Sequence, residues 1–232
     1  MTKEAEKPHY HGHRQRLRDK FLFNMGKDMP DYEFLELLLT FAIPRRDVKP
    51  LAKDLIKKFG NFNEVISAPV EKLQEVDGLK ENSIAAIKLI KEAAVRLMGQ
   101  GLQNSDMPII SNWDAMVDYC RSAMAYNEIE EFRVLFLDAK NRLISDEVHQ
   151  RGTVNYTPVI PREVLKLAVN KNASAIIMVH NHPTGDVTPS RHDIAVTGNI
   201  KEALGTVDIS LHDHLIISKF DVYSFREKGL IG

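Results

Sequence analysis

Two histidines that stand two residues apart, His180 and His182, are the side chains best placed in this sequence to do chemistry. They follow an apolar run, residues 175–179, which favours a buried strand. Side chains two apart on a strand point the same way, so both imidazoles can reach one point. Asp193, at the start of an expected helix, supplies a third potential ligand. Three nitrogen and oxygen ligands that leave one position open are typical of a catalytic zinc site.

Two further residues would complete a hydrolytic site around such a metal. Zinc lowers the pKa of a water in the open position towards about 7. Glu147, in an expected strand hairpin, is predicted to take the proton of that water. Glu128, Glu130 and Glu131 are less attractive because they lie further upstream. The hydroxyl of Ser190 is predicted to hold a developing oxyanion.

Ser190 and Asp193 also fit a capping box, in which a serine caps a helix and a side chain three residues later reaches back. This structural interpretation needs no metal. The two interpretations are compatible, because a carboxylate fixed in the first turn of a helix is held where a metal site would need it.

The pattern resembles the JAMM (MPN-plus) metalloprotease motif, and the string HNHPTGDVTPSRHD, residues 180–193, is similar to the RadC family of bacterial proteins. The resemblance extends to Gly12-His13-Arg14, Ala42–Lys53, Arg151-Gly152-Thr153, Pro161–Val164 and His212–Ile217. It implies that zinc is bound by His180, His182 and Asp193. It also implies that Glu147 activates water and that Ser190 supports the transition state.

As a function, the resemblance implies a zinc metallopeptidase that cleaves a peptide or isopeptide bond in an unidentified protein substrate. Proteins of the RadC family also carry the label of DNA repair. A DNA-associated repair or recombination accessory protein is therefore the alternative, and a scaffold without chemistry is a third interpretation. His212 and His214 repeat the two-residue spacing. They are expected to contact the zinc ligands, to form an alternative metal site, or to have a structural role, as is more usual for strand-end histidines beside an aspartate such as Asp213.

The elements that must position these residues belong to the second of two expected domains, residues 107–232. Strands interleaved with helices predict a single α/β or α+β domain there. The resemblance implies an α/β JAB/MPN-type, cytidine-deaminase-like fold. The strands are expected over 132–137, 143–149, 175–179, 207–211 and 215–218, with a final short one near Tyr223. The helices are expected over 112–126, 161–169 and 190–204. Residues 99–108 are rich in glycine, asparagine and serine, which favours a linker.

The first expected domain, residues 1–106, shows no strand-like alternation and is predicted to be an all-α module of about five helices, which makes the fold class of the chain α+β. Asp31 is expected to cap the helix over residues 31–41. Leu73–Ile87 resembles a helix-hairpin-helix, whose turn amides hold DNA phosphates without reading sequence. Lys80 replaces the second glycine of that turn, and an ordinary helical hairpin remains the other interpretation.

A short basic cluster, Arg14, Arg16, Arg18 and Lys20, is either a solvated helix face or a phosphate contact surface.

Composition narrows the class of protein. The 232 residues carry a formal net charge of -1, so no global charge indicates nucleic acid or membrane. The one cysteine, Cys120, excludes an internal disulfide and a cysteine-rich zinc site, and its helical spacing predicts a buried small hydrophobe. No apolar run approaches the roughly 20 residues of a membrane span. A signal peptide is not expected, because residues 1–14 are polar and lack an apolar h-region. A cytoplasmic protein is expected.

Overall fold

The computed structural model of the chain describes residues 12–152 and 159–231. Contacts divide the chain after Ala93 into two compact units. The expected ranges, 1–106 and 107–232, place the division later in the chain. That these ranges are separate domains stays a prediction. Each unit has a core of its own and is described by itself.

Helices make up the described part of the first unit. Their apolar faces enclose a core that includes Leu35, Leu39, Leu55 and Leu73, all fully buried. The predicted all-α module is thereby confirmed. The helices are α1 (His13–Asn24), α2 (Asp31–Ala42), α3 (Lys49–Phe59), α4 (Phe62–Ser67), α5 (Val70–Gln74) and the first part of α6 (Glu81–Gln103).

Asp31 was expected to cap α2, and this was wrong. Pro30 occupies the N-cap position, and Asp31 is the first residue of the helix itself. Its carboxylate accepts a hydrogen bond from the backbone N–H of Phe62 at 2.8 Å, so it satisfies the start of α4 instead.

The helix-hairpin-helix-like segment consists of α5, a turn and the start of α6. Gly78 in the turn has φ +94, and a Cβ there would lie 2.2 Å from Nη2 of Arg46. A glycine at this position therefore allows the positive φ of the turn and also leaves space for the Arg46 guanidinium. The backbone N–H of Lys80 donates to Ser83 Oγ at 2.8 Å. One of the turn amides is thus already used inside the unit, and DNA binding by this turn stays a prediction.

Helix α6 continues to Gln103, so half of the expected linker is helical. The reason is tertiary packing, since Leu102 is buried in the core of the second unit and Met98 packs against the same core. Gly99 suits this position because a Cβ there would approach the Tyr119 ring to 3.0 Å. A composition typical of linkers is overridden by apolar residues at helical spacing.

A five-stranded sheet forms the centre of the second unit. Its order is β2-β1-β3-β4-β5, with β3 and β4 parallel and the other neighbours antiparallel. The strands are β1 (Glu131–Leu137), β2 (Leu143–Arg151), β3 (Ala175–Asn181), β4 (Ser210–Ile217) and β5 (Val222–Ser224). A short 3₁₀ helix (Ile109–Asn112) precedes α7 (Trp113–Met124), and α8 (Pro161–Asn170) and α9 (Arg191–Gly205) complete the unit. The predicted α+β class is confirmed.

The two faces of the sheet carry different helices. Helix α7 packs Met116 and Cys120 into the core on one face, together with Ile177 of β3. Helices α8 and α9 cover the other face, where Ile200 packs with Met178 of β3. Cys120 is fully buried, and burial raises the pKa of its thiol. The prediction of a small buried hydrophobe at Cys120 is confirmed.

Strand β4 replaces the two strands expected over 207–211 and 215–218. Residues 206–208 form a turn after α9, and the strand runs unbroken from Ser210 to Ile217. The polar residues inside it are tolerated because the buried Asp213 carboxylate is satisfied. It accepts from the backbone N–H groups of His214 and Arg226 and from the Ser224 hydroxyl.

Within the described ranges, none of the helices combines the length and the apolar composition that a bilayer crossing requires.

Candidate metal centre

The three predicted zinc ligands converge where β3 ends and α9 begins. Their ligand atoms all lie within 4.8 Å of one another. The Nε2 atoms of His180 and His182 are 3.0 Å apart. Asp193 Oδ1 lies 3.5 Å from Nε2 of His180, and Asp193 Oδ2 lies 3.9 Å from Nε2 of His182. The structure therefore brings these three residues together.

A tight turn sets the orientation of His182. Gly185 adopts φ +91, which glycine accepts without strain, and its N–H donates to the His182 carbonyl at 3.1 Å. The carbonyl of Asp186 then lies 2.6 Å from His182 Nδ1. A carbonyl only accepts, so Nδ1 carries the proton. In the neutral ring, Nε2 is left with a lone pair that faces the site.

A chain of buried hydrogen bonds sets the orientation of His180. The Thr197 hydroxyl donates to the Asp193 carbonyl at 2.5 Å, so its oxygen accepts from His214 Nδ1 at 2.6 Å. His214 Nε2 then accepts from His180 Nδ1 at 2.8 Å. The His180 Nε2 atom therefore also carries a lone pair.

Burial keeps both rings of this chain neutral. Desolvation lowers the pKa of His214 well below its usual value, with the neighbouring histidines adding to the effect. Burial lowers the pKa of His180 to about 4, although the Asp193 carboxylate acts in the opposite direction. Neutral imidazole is the form that binds metals.

This arrangement fits a bound metal ion. Two lone pairs that face each other at 3.0 Å repel unless a cation lies between them or beside them. The Asp193 carboxylate adds a negative charge to the same point. Two imidazoles and one carboxylate are a ligand set of catalytic zinc sites. The chemistry of the donors, rather than their proximity alone, indicates a metal site.

Ser190 and Asp193 form the predicted capping box at the start of α9. The backbone N–H and the hydroxyl of Ser190 donate to Asp193 Oδ2 at 2.7 and 2.6 Å. The Asp193 N–H donates back to Ser190 Oγ at 3.1 Å. With Oδ2 held in this way, Oδ1 is the oxygen turned to His180. Ser190 thus orients a predicted ligand, and its contact with an oxyanion stays a prediction.

Glu147 lies on β2, and its carboxylate forms an ion pair with Lys171 Nζ. Its Cα is opposite Val134 of β1, which is opposite Met178 of β3. Glu147 is therefore two strands from β3 and level with a residue two positions before His180. Its predicted role as the base stays a prediction.

By strand register, another glutamate is level with a predicted ligand. Phe132 of β1 pairs with His180, so continuing the same register sets Glu130 opposite His182. Glu131 contacts Arg133 on the opposite face at 2.6 Å, so alternation along the strand puts Glu130 on the ligand face. The Gly152 N–H donates to the Glu130 carbonyl at 3.0 Å and continues the sheet there. Distance along the sequence gave no indication of this proximity.

Several residues around the ligands were not foreseen. Thr197 lies one helical turn after Asp193, and this spacing could have revealed it. The Phe132 and His180 rings stack at 6.3 Å, and the Phe225 and His214 rings stack at 4.6 Å. Neither aromatic residue has a signal in the local sequence.

The two histidines of the second pair, His212 and His214, have different partners. His214 contacts His180, a predicted zinc ligand, at 2.8 Å, which was one of the alternatives for this pair. His212 Nε2 instead bonds Asn141 Oδ1 at 2.6 Å, at the turn between β1 and β2.

The chain is similar to known proteins over most of its length. Residues 110–230 match the RadC-like JAB domain family. The chain is 50% identical over 219 residues to a UPF0758 protein of Ruegeria pomeroyi, which covers 94% of this chain and 97% of that protein. It is also 50% identical over 215 residues to a UPF0758 protein of Rhodobacter capsulatus, which covers 93% of this chain and 100% of that protein.

Proposed function

Because the chain belongs to the RadC-like JAB domain family, we propose that it is a zinc-dependent metallopeptidase of the JAMM type. It would hydrolyse a peptide or isopeptide bond in a protein substrate. The observation that supports this most is the pair of Nε2 lone pairs at 3.0 Å beside a carboxylate. Both Nδ1 atoms have acceptors of their own, the Asp186 carbonyl and the His214 ring, which leaves both Nε2 atoms available to a metal.

His180, His182 and Asp193 would hold the zinc ion. When bound, zinc supplies Lewis-acid chemistry that lowers the pKa of water and polarises a carbonyl. The protein's own residues prepare that site. The chain from Thr197 through His214 fixes the His180 ring, and Ser190 fixes the Asp193 carboxylate.

A carboxylate on the ligand face would take the proton of the attacking water and pass it to the leaving amine. Glu147 is the sequence-based candidate, and its carboxylate forms an ion pair with Lys171. Glu130 is the candidate that the strand register favours, because it lies opposite His182. We propose that one of these two glutamates is the general base.

The metal assignment is tested by zinc analysis of the purified protein. We expect about one zinc per chain in the wild type, and much less in His182→Ala because a ligand is lost. His192→Ala is the matched control, since His192 is an exposed histidine of α9 outside the group of three. Full zinc occupancy in His182→Ala would show that the site assignment is wrong.

The base assignment is tested with Glu130→Gln and Glu147→Gln on a panel of peptide and isopeptide substrates. A general base is not a ligand, so both variants should keep their zinc. The variant that removes the base should lose about 10²- to 10⁴-fold in hydrolysis rate, and the other should stay close to wild type. Wild-type rates in both variants would exclude both glutamates.

A further inference from the structure

A second site candidate lies in the first unit, where a cavity of about 570 Å³ opens beside α1, α2 and the loop before α3. Its volume is in the range of small-molecule sites. The proposed hydrolytic function makes no use of it. Its polar lining includes His13, Arg14, Arg18, Glu36, Arg45 and Arg46.

Arg14 makes one wall of the cavity rigid. Its guanidinium donates to the carbonyls of Thr40 at 3.3 Å, Ile43 at 2.8 Å and Arg46 at 2.5 Å. These bonds tie the end of α2 to the following loop. The loop residue Arg45 is exposed, so its side chain is presented from a fixed backbone.

Glu36 is the unusual residue of the cavity. Its side chain is 2% exposed, and its Oε1 pairs with His13 Nε2 at 2.7 Å. Its Oε2 is buried without a hydrogen-bond partner in the part of the chain that the structure describes. A buried carboxylate oxygen left unsatisfied costs free energy, so such an atom calls for an explanation. A ligand that brings an N–H or O–H donor would supply the missing bond.

The charge of the cavity favours an anion. Four arginines face two carboxylates, Glu36 and Asp47, which leaves two positive charges in excess. Asp47 is already occupied, because its carboxylate accepts from the Lys49 N–H at 3.0 Å. A phosphate monoester carries about -1.5 to -2 at neutral pH, which matches this excess. Guanidinium groups bind phosphate in a bidentate manner.

We propose that this cavity binds a nucleoside 5′-phosphate, either free or as the 5′-phosphorylated end of a nucleic acid strand. Arg18 and Arg45 would contact the phosphate. The planar guanidinium of arginine also stacks on aromatic rings, so an arginine of this cavity could stack on the nucleobase. Glu36 Oε2 would accept from the amino group of the base, a pairing that carboxylates make with cytosine. The proposal is independent of the zinc site.

Calorimetric titration of the full-length, wild-type protein with cytidine 5′-monophosphate tests this site. We expect one ligand per chain and clearly weaker binding of cytidine or inorganic phosphate alone. Arg18→Gln and Arg45→Gln should each weaken binding by about tenfold or more. Arg16→Gln is the matched control, because Arg16 lies on the same helix and does not line the cavity. Glu36→Gln should weaken binding of the nucleotide without weakening that of inorganic phosphate.

DNA oligonucleotides with and without a 5′-phosphate distinguish the two sources of the ligand. If only the 5′-phosphorylated oligonucleotide binds, and Arg45→Gln weakens that binding, the ligand is the strand end. This result supports the proposal. The proposal is overturned if neither probe binds, or if binding survives in both Arg18→Gln and Arg45→Gln. Inorganic phosphate that binds as tightly as the nucleotide overturns it as well. Circular dichroism checks that Glu36→Gln keeps its fold.

Discussion

Single hydrogen atoms decide what the candidate metal centre can bind. Each ligand imidazole gives its Nδ1 proton to a fixed acceptor, the Asp186 carbonyl for His182 and the His214 ring for His180. Both Nε2 atoms are thereby held as acceptors before any metal arrives. Partners of this kind raise the affinity of a metal site because no ring needs to reorient on binding.

Thr197→Val tests this arrangement. The variant keeps the shape of the side chain but removes the oxygen that accepts from His214, so the His180 tautomer is no longer fixed. We expect zinc affinity to fall by about 10- to 100-fold, measured by competition with a chelator. Thr206→Val is the control at the C-cap of the same helix, because Thr206 is exposed and its hydroxyl donates to the Ala203 carbonyl at 2.7 Å. Equal affinities for wild type and Thr197→Val would contradict this role.

The candidate ligands could be predicted at the residue scale because their relation is local. His180 and His182 share a strand face, and Asp193 follows from a capping box that a few neighbouring residues define. The base could not be predicted in the same way. Whether Glu147 or Glu130 is close to the ligands depends on which residues of β1 lie opposite β2 and β3. This register is set by the whole sheet.

At the scale of secondary structure, one motif at the start of α9 both caps the helix and holds a candidate metal ligand. Ser190 satisfies free amides at the helix start and also holds Asp193 Oδ2. A change at Ser190 is therefore expected to affect both folding and metal binding, whereas a purely catalytic serine would affect neither.

Ser190→Ala and Ser190→Gly separate the two effects. Alanine at an N-cap costs about 1 kcal/mol, and glycine costs only a few tenths. Urea unfolding of the metal-free protein should rank the variants in that order. Both variants lose the hydroxyl, so both should bind zinc more weakly than wild type. Unchanged zinc affinity in both would show that Ser190 does not position Asp193.

The element boundaries that could not be foreseen share one cause. Helix α6 runs past Gly99 because Leu102 finds a core to pack against. Strand β4 runs through Asp213 because distant groups satisfy that carboxylate. In both places, contacts far away in the sequence outweigh a local composition that favours a break.

At the scale of the whole molecule, the two units have separate cores, and the candidate metal ligands all belong to the second. A ligand that binds only the folded form stabilises the structure that contains its site. Metal removal should therefore act on one unit more than on the other.

Hydrogen exchange with and without a chelator measures this difference. We expect faster amide exchange in β3 and α9 after zinc is removed, because opening of this region then costs less free energy. The amides of α2 and α3 should exchange as before. Equal acceleration in both sets would mean that the two units unfold together.

The burial of Cys120 has a practical consequence for spectroscopy. Its thiol is enclosed beneath the sheet, and burial raises its pKa, so little reactive thiolate is available to a maleimide. The natural protein is therefore expected to react little with thiol-directed labels. Lys57→Cys on α3 and Glu202→Cys on α9 would each introduce a thiol at an exposed position. A pair of dyes or spin labels at these two positions would report the distance between the units directly.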